Sequence, residues 1–590
     1  MNISSFNWKI SAKAGEGIMS SSRLFAKACK RQGLTAFNYY EYPSLIKGGI
    51  QSGQVFTSTF GATCQRKILN LLIIFHENFI QNHLEEIDQN TLIIVNSNSF
   101  NRNKYPNIKS KILAIDLNQL VKDEGADPLT VNVAVLGLSA RLLNMNLKTI
   151  SKIITEEFSK NKNSVSQNIT VLNAAYKKTD EIIKQGILQE IGTLASSKED
   201  KQLLLTGNEA VGLGALAAGL QFYSAYPMTP ATGLMHYLAA MQKNYPIIVK
   251  HAEDEIGAIN HALGASFAGV RSMTGSSGGG FALMVEALSF AGVSEIPLVI
   301  LEAMRQGPAT GLPTWTSQGD LNFVLQAGHG DFLKIVLTPG DVYEHYLLTK
   351  LAFKLAEKYQ LPVIILSDKF ILESSQTIPK IKLISTNQRL SMVNDGKLGK
   401  TNIKENEYLR YKYTKNGISL RSIPGQTSAF QLTNSYEHDE FGFATEDAVT
   451  TKNAVDKRIS KIHVLTKELP KPIYLGVSNP KMIFISFGST INVLKNLLLE
   501  KSTKDKIAVI HLPCIYPFSS KELEKLINNK EAKVFVLEGN ATGQLSTLIR
   551  GVSKINNFHS ILRYDGRPFY VEDLLGFIKN GKLSPQYKLI

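Results

Sequence analysis

Short apolar runs, each followed by a glycine- or polar-rich turn and a helical repeat, recur along most of the chain. The first, FNWKISA at 6–12, leads into AGEGIMSSSRLFAKACKRQGL at 14–34. There Gly15 and Gly17 predict a tight turn before a helix. Further strands are predicted at 53–59, 69–75, 91–95 and 111–115, and the alternation reads as parallel βαβ units over 1–185. Lys- and Glu-rich sequence at 176–202 reads as helix plus linker. A second α/β unit is predicted over 203–375, with strands at 246–250, 270–274, 297–302, 334–337 and 361–367. Residues 376–470 lose the alternation and predict an irregular connector. A third, smaller α/β unit follows over 471–590, with strands near 481–487, 507–511 and 533–537. The fold class is therefore multidomain α/β. No short internal repeat is visible.

Length agrees with that division, since 590 residues exceed the roughly 250–300 that one core accommodates. No apolar run reaches the length of a membrane span, and MNISSFNWKISAKAGEG lacks the pattern of a signal peptide. A cytoplasmic protein without a membrane partner is expected. The net charge of +15 raises nucleic-acid binding, but the lysines are scattered without a basic stripe, so none is expected. Three separated cysteines, Cys29, Cys64 and Cys514, with no CxxC, argue against a disulfide framework, a zinc site or a self-contained iron–sulfur cluster. No metal site is expected in this chain.

Candidate chemistry gathers in the second unit. GNEAVGLG lacks the Gly-Lys-Ser/Thr ending of a phosphate loop, and GEGIMS at 15–20 is only a partial dinucleotide turn. In AYPMTPAT, 225–232, Pro230 suits the first helical position and Thr229 the N-cap, where helix amides attract anions. HAEDEIGAINHALGASFAG, 251–269, opens a helix with Glu253, Asp254 and Glu255. That is ordinary charge placement at a helix start, or one buried carboxylate that binds a nitrogen. RSMTGSSGGGFALMVEAL, 271–288, puts Gly278 and Gly279 in a run that lets a ligand or partner approach the backbone. Arg305 precedes another Gly/Pro-rich loop. Four polar loops, each after a strand, predict one site at the strands' carboxyl ends.

These residues resemble the 2-oxoacid:ferredoxin oxidoreductases, in the form of an α subunit with a γ domain fused at its N-terminus. The γ motif is similar to GEGI at 15–18 and YEYPSLIKGG at 40–49. The α signature is similar to GNEAVGLGALAAG (207–219), YPMTPAT (226–232), AEDEIGA (252–258), SSGGG (276–280) and GPATGLPT (307–314). GISLRSIPG (417–425), EHDEFG (437–442) and GNATGQL (539–545) extend the resemblance over almost the whole chain.

The resemblance implies a Rossmann-like γ domain, a pyrimidine-type thiamine-diphosphate-binding domain and a C-terminal domain like that of transketolases. It implies oxidative decarboxylation of a 2-oxoacid with coenzyme A as substrate and ferredoxin as acceptor. A β subunit would bind magnesium with the diphosphate and hold the iron–sulfur cluster. This chain has neither a Gly-Asp-Gly motif nor enough cysteines, so activity is expected only with that subunit, in a heterotetramer. Glu255, or Glu253 after a short shift in alignment, would hydrogen-bond the aminopyrimidine ring. Gly278 and Gly279 would lie on the cofactor side. Thr229 would contact substrate, and Arg305 would either meet the substrate carboxylate or form an interface salt bridge. Lys47, Gly48 and Gly49 would face coenzyme A or serve packing. Many relatives carry a basic residue where Trp315 stands, and Trp315 can offer only its indole N–H to a second carboxylate. The fused arrangement still ranks 2-oxoglutarate, giving succinyl-CoA and CO2, ahead of pyruvate or a branched-chain 2-oxoacid. The readings from other classes are a transketolase, a dehydrogenase-complex E1 component and a non-catalytic scaffold.

Overall fold

Parallel pairing, expected from the alternation of strands and helices, holds in one half of the N-terminal sheet and fails in the other. The computed structural model describes residues 2–44, 49–98, 100–194, 202–381, 408–426, 429–503, 505–527, 529 and 531–590. These residues form two compact units, one drawn from 1–205, 374–381 and 570–581 and the other from 206–373, 382–569 and 582–590.

The first unit carries an eight-stranded sheet. Its order is Lys111–Ala114, Leu92–Val95, Leu71–Ile74, Ser5–Lys13, Ile50–Ser58, Thr35–Glu41, Ser375–Pro379 and Gln202–Thr206. The first four strands are mutually parallel. Ile50–Ser58 runs antiparallel to both Ser5–Lys13 and Thr35–Glu41, which corrects the all-parallel expectation. The reason is the short connection 42–49, since a parallel crossover needs a dozen residues or more. Gly15 and Gly17 do form the predicted turn, with φ of 93° and 78°, and the helix Ile18–Arg31 follows. Its Phe25 ring stacks on Trp8 at 4.7 Å, and the Trp8 indole N–H donates to the Ser139 hydroxyl at 3.0 Å. Burying aromatic side chains of this size contributes about 1.5–3 kcal/mol each.

The second unit contains two sheets. One runs Cys514–Tyr516, Ile335–Leu337, Pro362–Asp368, Leu298–Met304, Ser272–Ser276, Phe222–Ala225, Ile248–His251. Every pair in it is parallel except at the Cys514–Tyr516 edge. Its central strands Leu298–Met304 and Pro362–Asp368 are buried along their whole length, as expected where helices cover both faces. The other sheet runs Ile473–Gly476, Ile507–Leu512, Met482–Phe487, Lys533–Glu538, His559–Arg563, Tyr587–Leu589, with antiparallel strands at its two ends.

The stretch expected to be irregular, 376–470, is partly regular. It shares the strand Ser375–Pro379 and contains the helices Ala448–Ser460 and Ile462–Leu465. Residues 382–407, 427 and 428 of that stretch lie outside the described residues. Among the described residues, no helix is long and apolar enough to cross a membrane.

Candidate active site

Parallel pairing brings four loops to one edge of the larger sheet of the second unit. The strands ending at Ala225, His251, Ser276 and Met304 all point the same way, so the segments after them lie side by side.

The loop after Ala225 is not the helix cap that its sequence predicts. The helix begins at Thr232 with Ala231 at the N-cap and no side-chain cap bond. Pro230 adopts a turn instead, with a cis peptide bond to Thr229. A proline's fixed φ suits a turn as well as a first helical position, so the local preference did not decide between them. Half-buried Thr229 enters the site through its carbonyl, which accepts a hydrogen bond from Arg305 Nη1 at 2.8 Å. The loop is also pinned from below, where Asn208 Nδ2 donates to the Pro230 carbonyl at 3.0 Å. Asn208 lies on the helix Gly207–Ala217, started by a capping box between Thr206 and Glu209. In that helix, a β-carbon on Gly214 would stand 2.6 Å from the Tyr346 carbonyl. Close helix packing therefore accounts for this glycine of GNEAVGLG.

The acidic run after His251 separates into three environments. Asp254 is the N-cap and accepts from the Gly257 N–H at 2.7 Å. Glu253 is exposed and precedes the helix. Glu255 is the first helical residue, only 4% exposed, and its Oε1 is buried without a hydrogen-bond partner. A buried acceptor left unpaired is costly, which makes this oxygen a candidate for a donor from outside the chain.

The three glycines after Ser276 are spoken for differently. A β-carbon at Gly280 would lie 2.1 Å from Ser276 Oγ and 2.4 Å from Glu255 Oε1, so this glycine makes room for the carboxyl group. At Gly278 it would meet Asp320 Oδ2 at 2.7 Å, while the space at Gly279 is open. Gly278 is thus crowded by a carboxylate of the chain itself. Sequence reasoning missed Asp320, whose nearest signal is its place before the short helix Leu321–Gln326.

Arg305 follows the strand Leu298–Met304. Burial lowers its pKa from the ordinary value, and the negative charge of Asp320 opposes that shift. The structure thus brings together Thr229, Arg305 and Asp320, and separately Glu255, Ser276 and Gly280. Of the γ-type candidates, Gly49 is described, with φ of 87°, while Lys47 and Gly48 lie outside the described residues. Trp315 is half-buried and carries Arg567 on its ring, the guanidinium carbon 3.2 Å from the ring centroid.

An edge of parallel strands that carries a buried unpaired carboxyl and, separately, a partly buried guanidinium is where α/β proteins place their ligand sites. Comparison with known proteins narrows that reading. A family model described as pyruvate flavodoxin/ferredoxin oxidoreductase, thiamine diphosphate-binding, matches residues 213–457. A second, pyruvate ferredoxin/flavodoxin oxidoreductase, matches 7–178. The 2-oxoacid:ferredoxin oxidoreductase subunit alpha of a Sulfolobus species is 32% identical over 636 residues, covering 98% of this chain and 97% of that one. The 2-oxoglutarate synthase subunit KorA of Methanocaldococcus jannaschii is 31% identical over 352 residues, covering 59% of this chain and 91% of that one. Among solved structures, the 2-oxoglutarate:ferredoxin oxidoreductase from Magnetococcus marinus, with 2-oxoglutarate, coenzyme A and succinyl-CoA bound, superposes with a TM-score of 0.88. That match has 30% identity and covers 98% of this chain and 99% of the other. The chain belongs to the 2-oxoacid:ferredoxin oxidoreductase family, as an α subunit with its γ-type domain in the same polypeptide.

Proposed function

We propose that this chain, with a β subunit, oxidatively decarboxylates 2-oxoglutarate to succinyl-CoA and CO2 and passes the electrons to ferredoxin. The observation that carries this reading is the Glu255 carboxyl group, buried with one oxygen unpaired beside a glycine turn. That oxygen would suit a hydrogen bond with the nitrogen side of an aminopyrimidine ring, for which a carboxyl group is a complementary partner. When bound, thiamine diphosphate supplies the carbanion chemistry that decarboxylating a 2-oxoacid requires. Glu255 would hold and orient the ring through one hydrogen bond. Arg305 would take the substrate carboxylate, as a guanidinium fork in a partly dry site suits a carboxylate. The Thr229 carbonyl would fix one arm of that fork.

In this reading the β subunit supplies the magnesium site for the diphosphate and the iron–sulfur cluster, and the pairs assemble as a heterotetramer in the cytoplasm. Lys47, Gly48 and Gly49 remain our candidates for the coenzyme A side.

The choice of 2-oxoglutarate draws on the ligands of the Magnetococcus marinus protein and on the Methanocaldococcus jannaschii relative, a 2-oxoglutarate synthase subunit. It also requires a cation for the second carboxylate. Trp315 has no charge, but Arg567 lies flat on it. The Trp315 carbonyl accepts from the N–H of Gln306 at 3.2 Å, next in sequence to Arg305. We assign Arg567 to the distal carboxylate. Arg567→Ala is expected to raise KM for 2-oxoglutarate about tenfold, the scale of one lost charge-assisted contact, and to leave KM for pyruvate nearly unchanged. An equal effect on both substrates would remove Arg567 from substrate recognition. A preference for pyruvate in the unaltered enzyme would overturn the ranking itself.

A further inference from the structure

The strand Leu298–Met304, LVILEAM, has one charged residue, and it is fully buried. Glu302 is 0% exposed, on the same face as Ile300 and Met304, which belong to an apolar cluster with Phe281 and Leu321. Strand register sets it beside Ser276 on one side and Leu366 on the other. Both carboxyl oxygens of Glu302 are buried without a hydrogen-bond partner, and the nearest side chain acting on it is itself acidic.

That group is Asp320. It makes no side-chain cap to its own helix, and it reaches instead over the first turn of the helix Gly278–Val293, where Gly278 leaves it space. Asp368 is the third carboxyl group nearby, and it has its own partners: the Ser489 hydroxyl at 2.6 Å, the Ile371 N–H at 3.3 Å and the Thr316 hydroxyl at 3.4 Å. Burial raises the pKa of Asp320 as well, but Glu302 as a hydrogen-bonding neighbour and the Arg305 charge both oppose that shift.

Two carboxyl groups facing one another in an apolar cluster cannot both stay ionised. The helix N-terminus and Arg305 favour the negative charge on Asp320. Glu302, deeper and without a cation, is left with the proton. We propose that Glu302 is a positioning residue: as the neutral acid it donates a hydrogen bond to Asp320, and so fixes Asp320 as the single anion that aligns Arg305. Burial, with Asp320 and Asp368 adding to it, pushes Glu302 well above the usual carboxylate range, in agreement with this arrangement. The use of Arg305 on substrate rests on the function proposed above, whereas the proton held between Glu302 and Asp320 does not.

The test uses the cofactor-loaded complex with its β subunit. Infrared difference spectra, wild type minus variant, are expected to show the carbonyl stretch of a protonated carboxyl group. That band should vanish in Glu302→Gln and in Glu302→Leu. In kinetics, Asp320→Asn and Glu302→Leu are expected to raise KM for the 2-oxoacid about tenfold, with kcat little changed. Glu302→Gln should restore a near-normal KM, because its amide N–H replaces the acid O–H. Absence of the protonated-carboxyl band in the wild type would overturn the proposal, whatever the enzyme's substrate. So would a KM in Glu302→Gln as high as in Glu302→Leu, which would mean that a charged Glu302 is required. A complex that shows the band but turns over no 2-oxoacid would instead refute the proposed function, and with it the task given to Arg305.

Discussion

Glu255→Gln is expected to lower 2-oxoacid-dependent turnover by about 10²-fold or more, the range for removing a positioned acid or base, without loss of subunit assembly. The substitution keeps the shape of a side chain packed against Ser276 and Gly280, so the helix Glu255–Phe267 should keep its place. What changes is the carboxyl group, the buried, unpaired acceptor proposed above to meet the ring of the cofactor. Glu253 provides the internal comparison. It is exposed and outside the helix, so Glu253→Gln should cost about 0.5 kcal/mol or less, near the scale of an ordinary surface change. Turnover in the cofactor-saturated complex, with size-exclusion chromatography for assembly, separates the two carboxylates. Equal turnover loss in both variants, or loss only in Glu253→Gln, would move the assignment.

The largest effect on stability is expected at Glu295, at the opposite end of the helix that carries the three glycines. It is 1% exposed and has φ of 51°, in the left-handed region that non-glycine residues seldom occupy. Its carboxylate pairs with Lys457 and, at 2.6 Å, with Lys461, and its backbone carbonyl accepts from Arg410 Nη2 at 2.9 Å. All three cations are buried. Burial alone would raise the pKa of Glu295, but Lys457, Lys461 and Arg410 outweigh it and hold the group far below its ordinary 4.5. Burial pulls Lys457 down to about 8 even with Glu295 beside it. Glu295→Gln would leave these cations without their anion, and a loss of about 3–5 kcal/mol is expected, as for breaking a buried pair. Thermal unfolding of the purified chain measures it. Because the folded-state pKa of Glu295 lies below the unfolded one, its stabilisation is complete above pH 4.5 and is lost as the pH falls further. The wild type should therefore lose more stability than the variant on acidification in that window. A variant as stable as the wild type would contradict this account of how the Lys457–Lys461 segment is held.

Much of this site was legible because apolar runs mark strands and the loops after parallel strands share an edge. The strand expected at 297–302 is Leu298–Met304, and the one expected at 361–367 is Pro362–Asp368. Arg305 was found for that reason. Strand direction was harder to read, as periodicity reports extended backbone but not its partner, and the antiparallel pairing of Ile50–Ser58 with Thr35–Glu41 escaped notice. The cap assigned to Thr229 failed because the local sequence permits a turn as readily as a helix start. Asp320 against Gly278, and Arg567 on Trp315, join residues far apart in the chain by packing that no short motif encodes. Glu302 carried a fainter signal, a lone carboxylate in an otherwise apolar strand, which points to a buried acid but not to its neighbour.

The most direct test of the central claim is viologen reduction by the purified complex of this chain with its β subunit and thiamine diphosphate, with 2-oxoglutarate and coenzyme A compared against pyruvate and coenzyme A. The account predicts reduction that depends on both the 2-oxoacid and coenzyme A, fastest with 2-oxoglutarate and yielding succinyl-CoA. A cofactor-loaded complex that reduces the dye with neither 2-oxoacid, or faster with pyruvate, would contradict it.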